Sequence, residues 1–115
     1  MLSKTVKVGD REVTFKSSAA IPRMYRIKFK RDIFKDLTKL EKSYKDKGDG
    51  TKELEIEDLE IFENVAYIMA LHGDSNTPSS IDEWLDQFEM FSIYEILPEI
   101  LDLRASNLFP DVKSR

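Results

Sequence analysis

The chain contains no cysteine. Disulfide cross-links and thiolate chemistry are excluded, in keeping with a reducing compartment. Histidine is nearly absent too. The single one, His72, cannot supply a zinc constellation by itself. It stands near a predicted helix end with Asp74 two residues on, and reads as a charge favourable to the helix dipole. The longest apolar run, Val65 to Leu71, has seven residues, against the roughly 20 that a membrane span needs. Met1-Leu2-Ser3-Lys4 has no apolar h-region, so no secretory leader is expected. No GxxxxGK[ST], GxGxxG or GxSxG motif is present, nor any internal repeat or low-complexity segment. The Asp46–Glu57 stretch is acidic and glycine-bearing, but Gly48 and Gly50 stand where a calcium loop needs oxygen ligands, and Thr51 replaces its glycine. It reads as a loop. Neighbouring acids such as Asp82 and Glu83 imply a solvated face and no acid/base pair. The expectation is a protein without cofactor, metal or catalytic site.

What is present is a globular composition in 115 residues, with 41% apolar and 35% charged residues, enough for one domain with a single core. The net charge of −4 conceals a division. Residues 1–52 carry 15 Lys/Arg and 7 Asp/Glu, a net +8, while residues 53–115 carry 3 and 15, a net −12. Such a chain is an electrostatic dipole, which bears on its partners.

The expected fold is mainly α, four to five helices with a small N-terminal β-hairpin. Lys4–Val8 and Arg11–Phe15 alternate apolar and polar residues around Gly9-Asp10, a good type II′ hairpin loop. That loop pairs Val8 with Arg11, Val6 with Val13 and Lys4 with Phe15, placing Val6, Val8, Val13 and Phe15 on one face. The hairpin spans 4–16, the helical body 21–103 and a loosely held tail 104–115. Pro22 opens a helical stripe of Tyr25, Phe29, Ile33, Leu37, Leu40 and Tyr44. Asp32 is placed to cap a second helix, so one long helix and two with a break near Arg31 both fit. Gly48-Asp49-Gly50 ends the stripe. A helix over Glu53–His72, apolar across a wide arc, is expected at the centre of the core, with Gly73 as its stop. Ser80-Ile81-Asp82-Glu83 and Ser92-Ile93-Tyr94-Glu95 read as two capping boxes. The first starts a helix burying Ile81, Trp84, Leu85 and Phe88. In the second, Pro98 kinks the helix or moves its true start to Leu97.

Two stretches in this order, Ala20-Ile-Pro-Arg-Met-Tyr-Arg-Ile-Lys-Phe-Lys-Arg-Asp-Ile-Phe-Lys-Asp-Leu37 and Ile81-Asp-Glu-Trp-Leu-Asp-Gln-Phe88 leading to Phe91-Ser-Ile-Tyr-Glu-Ile-Leu-Pro-Glu-Ile-Leu101, flank the helix Asn64-Val-Ala-Tyr-Ile-Met-Ala70. The combination, over residues 6–103, resembles the tail assembly chaperones of long-tailed phages and prophages of Gram-positive bacteria. Lys30 departs from the pattern, where a glycine is expected, and so does Arg104, where an aromatic often follows. The resemblance implies a cytoplasmic protein that binds the tape-measure protein, keeps it soluble and leaves before the virion is finished. It also implies a longer frameshifted form that recruits the major tail (tube) protein.

Tyr25, Phe29, Trp84 and Phe88 are the candidate client-binding anchors, with ordinary core packing as the competing reading of each. Arg23, Arg26 and Lys30, with Asp82 and Asp86, are candidates for homo-oligomer contacts in which the basic half of one copy meets the acidic half of the next. Neutralisation of the two halves inside one monomer is the alternative. The basic Arg23–Arg31 segment also admits a small nucleic-acid-binding regulator, disfavoured because its aromatics lie on the helical stripe and the second half is acidic. A structural tail-completion protein is the remaining reading.

Overall fold

The computed structural model of the protein describes residues 2–46 and 55–101. The Asp46–Glu57 loop lies largely outside them, as do the stop at 48–50, Arg104 and the 104–115 tail.

The chain is mainly helical with one antiparallel hairpin. Strands β1 (Leu2–Val8) and β2 (Arg11–Ser17) pair in the expected register, Val8 with Arg11, Val6 with Val13 and Lys4 with Phe15. Gly9 takes a φ of 65°, which a side chain would strain. On the inner face Val8 and Phe15 are buried and Val6 and Val13 half-buried. On the outer face the Thr5 and Thr14 hydroxyls are 2.9 Å apart.

α1 (Ile21–Phe29) and α2 (Ile33–Asp46) are separate helices. Lys30 breaks them with left-handed backbone at φ 60°, ψ 37°, and Asp32 accepts the Phe34 N–H at 2.9 Å to start the second. α3 (Ile56–Gly73) is the centre of the core and buries Ile61, Phe62 and Val65 through Ala70. Its start lies two to three residues later than expected. Glu55 and Asp58 form a reciprocal capping box there, and the Glu55 N–H donates to Asp58 at 3.1 Å. Gly73 is not a left-handed stop but the last helical residue. A Cβ on it would lie 2.5 Å from the Thr14 carbonyl oxygen, so its small size lets α3 seat against β2.

α4 (Ile81–Leu85) is a short helix capped by Ser80, whose hydroxyl accepts the Glu83 N–H at 3.3 Å. The Ser92 box does not form: Ser92 makes no side-chain cap, and Ile93–Ile96 is a 3-10 turn. Helix α5 begins at residue 97 and continues to 101. Pro98 therefore falls in a first turn, where its missing N–H costs least. Val8, Phe15, Tyr25, Trp84, Ile93 and Ile100 all join α3 in one apolar cluster. No described helix is long and apolar enough to cross a membrane.

Candidate functional site

The elbow between α1 and α2 is built around a buried carboxylate. Asp36 is 5% exposed. It accepts the Tyr25 hydroxyl at 2.7 Å, and Arg31 grips it through two bonds of 2.7 and 2.8 Å. Burial opposes its ionisation, but the Arg31 and Tyr25 bonds together outweigh burial and hold its carboxyl below the usual range. Burial, and then the Asp36 carboxylate, push the Tyr25 hydroxyl far upward, so it remains a donor. Fixing Arg31 this way shapes a cleft of about 430 Å³ lined by Pro22, Arg26, Lys30, Arg31, Asp32, Ile33 and Phe34. Three of these seven are cations against one acid, Asp32, and Phe34 is 45% exposed.

A second surface follows α4. The Tyr67, Trp84 and Phe88 rings run in series, with centroids 5.6 and 5.1 Å apart. The Tyr67 hydroxyl donates to the Pro78 carbonyl and the Thr77 hydroxyl to the Ala70 carbonyl, tying the 74–80 segment back to α3. Beyond Phe88 the chain leaves Met90 and Phe91 76% and 71% exposed. Asp86 and Glu89, both exposed, precede them.

Of the candidate client anchors, Tyr25 and Trp84 are core residues, at 0% and 2% exposure. Both side chains are consumed internally, Tyr25 by Asp36 and the Phe29 ring, Trp84 by the Tyr67 and Phe88 rings. As placed, they offer no surface to a partner. Phe29 and Phe88 are half-buried against the same core. The residues that do present apolar surface beside the charges are Ile27, Phe34, Met90 and Phe91, and also Ile56 between Glu55 and Glu57 at the start of α3. The signal for them was present: Phe34 lies off the Ile33–Leu37–Leu40 stripe, and Met90 and Phe91 fall between the two Ser-headed segments.

His72 also differs from its expected role. Burial, and then Lys16, lower its pKa, which favours the neutral ring. Its Nε2 lies 3.0 Å from the Ser18 hydroxyl, tying α3 to the end of β2. Among the described residues no group of three or more His, Cys, Asp or Glu is placed to hold a metal ion.

The charge division is partly resolved within the chain. Lys4 pairs with Glu99, Arg31 with Glu57, and Lys39 with Glu57 and Asp58. The self-association candidates do not join in. Arg23, Arg26 and Lys30, and likewise Asp82 and Asp86, form no ion pair among the described residues and are exposed. No protein-family model, curated protein or solved structure matches the chain.

Proposed function

We propose that the protein is a tail assembly chaperone of a long-tailed phage or prophage, acting in the cytoplasm of a Gram-positive host. Its client is the tape-measure protein, and a longer frameshifted form brings in the tube protein. The ordered resemblance over residues 6–103 carries the family reading. The observation that supports a protein-binding role is the set of large apolar side chains left exposed beside charge: Ile27 and Phe34 on the basic elbow, Met90 and Phe91 on the acidic segment after α4, and Ile56 between Glu55 and Glu57.

A long, partly apolar helical client aggregates unless its stripes are covered, and a groove between helices covers them. We assign that groove to the 74–91 segment. α4 is five residues long, and turns flank it on both sides. Raised from α3, it uncovers Tyr67, Trp84 and Phe88 as one aromatic surface, so Trp84 and Phe88 act as anchors only with this flap open. Coexpression with the tape-measure protein of the same phage is expected to raise that client's soluble fraction. Phe88→Ala, at a half-buried ring, is expected to reduce the rescue more than it lowers the chaperone's melting temperature. If rescue and melting temperature fall in step, Phe88 is a packing residue and the client binds elsewhere.

The exposed Arg23, Arg26 and Lys28 along α1, with Lys30 just past its end, favour one competing reading, a nucleic-acid binder. Its weakness is that Tyr25 is buried and Phe29 half-buried, leaving those rings unavailable to stack on bases. A wild-type protein that leaves the client insoluble but binds DNA with steep salt dependence replaces the chaperone reading with this one.

A further inference from the structure

We propose that copies of this chain associate head to tail, the acidic apolar knob Asp86–Phe91 of one copy entering the basic cleft between α1 and α2 of the next. The two surfaces are complementary in charge. The cleft presents Arg26 and Lys30, with Arg23 exposed one turn earlier on the helix; none of the three has an ion-pair partner among the described residues, the Lys30 ammonium donates to the Ile27 carbonyl, and the one acid of the lining, Asp32, accepts the Phe34 N–H. The knob presents Asp86 and Glu89, with Asp82 on α4 before them, and these too have no ion-pair partner there. Both also carry apolar surface with no assigned partner in the fold: Phe34 at the cleft, Met90 and Phe91 on the knob. A cleft of about 430 Å³ falls within the size range of sites that enclose a compact ligand, which is room for the Phe91 ring.

Helix geometry makes the contact intermolecular. Pro22 and Arg26 step by four residues and line one flank of α1, and Lys30, just past the helix end, lines the same cleft. Lys28, two residues from Arg26, is turned about 200° away from it. Its ammonium lies 5.7 Å from the centroid of the Tyr67 ring, which packs on Trp84 of α4. The α4 side of the molecule is therefore on the flank opposite the cleft, and a chain does not fill its own cleft with its own knob. Two different surfaces meeting in this way make a heterologous contact, which closes into a ring or continues as a spiral. One knob in one cleft is smaller than the roughly 800 Å² per partner of a standard interface, so each contact is weak and association depends on concentration. The inference uses no property of the client and stands or falls independently of the chaperone reading.

The test is sedimentation velocity on nuclease-treated full-length protein across concentration and salt. Wild-type protein is expected to gain mass with concentration at low salt and to lose it as salt screens the contact. Arg26→Glu with Lys30→Glu makes both surfaces acidic, and Asp86→Lys with Glu89→Lys makes both basic. Each double variant alone is expected to be monomeric with a wild-type-like melting profile. An equimolar mixture of the two is expected to regain association, because each now offers what the other lacks. Phe91→Ser, at an exposed position, is expected to weaken association about tenfold with the charges intact. A wild-type protein that is monomeric at high concentration and low salt overturns the proposal. So does association that ignores salt, double variants that associate like wild type, or a mixture that stays monomeric. If duplex DNA binds the cleft and the copies do not bind one another, the cleft is a phosphate site and the proposal is also overturned.

Discussion

The Tyr25 hydroxyl donates to Asp36 at 2.7 Å from a position with no solvent exposure, and Arg31, in the break between α1 and α2, closes on the same carboxylate. One buried carboxylate thus sets the angle between two helices and the shape of the cleft between them. Asp36→Ala leaves the Tyr25 hydroxyl buried without its acceptor, at a cost of about 1–3 kcal/mol. Arg31 is about half exposed, so solvent screens its share. The measurement is denaturant unfolding, and an unchanged midpoint would mean that the elbow is held by apolar packing alone.

Acid stability follows from the same carboxylates. Asp58, 1% exposed, is disfavoured as an anion by burial, but the Lys39 ammonium and the Glu55 N–H overcome this and lower its pKa, as happens at Asp36. A depressed folded pKa contributes stability that is complete above the unfolded Asp value of about 3.9 and is lost as pH falls through the lower folded value. His72, also lowered, contributes in the same direction from about 6.5 downward. The melting temperature is therefore expected to fall gently through the histidine range and steeply below about pH 4. His72→Gln should remove the gentle limb, and Asp36→Asn with Asp58→Asn should flatten the steep one. A melting temperature that rises on acidification would contradict both assignments.

Lys30 is the one non-glycine residue with positive φ among those described. Lys30→Gly relieves left-handed strain worth roughly 1–2 kcal/mol, partly offset by the greater freedom of glycine in the unfolded chain. A net gain of up to about 1 kcal/mol is expected. Lys30→Ala is the control, since it removes the charge and keeps the strained backbone. If alanine stabilises as much as glycine, the gain comes from charge.

Gly73→Ala tests the seating of the hairpin on α3. The added methyl meets the Thr14 carbonyl oxygen at 2.5 Å, and backbone has to move to admit it. Helix propensity alone would make alanine about 1 kcal/mol better. Overpacking against it costs about 1–3 kcal/mol, so net destabilisation is expected in thermal melts. Stabilisation would show that β2 yields easily.

Local chemistry determined much of this protein by itself. The Gly9-Asp10 loop and strict alternation specify the hairpin register, because a one-residue slip would turn Val8 and Phe15 to solvent. The apolar arc of α3 and the Ser80 cap are likewise local patterns, legible without a structure. Tertiary structure decided the rest. Whether α1 and α2 were one helix or two was decided where Lys30 turned left-handed and Asp36 of α2 took hold of Tyr25 of α1 and Arg31 of the break. Ser92 lost its capping role where the chain packs close to Gly9, whose added Cβ would meet the Ser92 hydroxyl at 3.1 Å. The candidate anchors divided for the same reason. Periodicity identifies an aromatic that lies on a stripe, but only packing shows that Tyr25 and Trp84 are covered while Phe34, Met90 and Phe91 are left exposed. The charge division was visible in composition. Which cations find partners inside the chain is set by distances between elements far apart in sequence, and local patterns do not encode those distances.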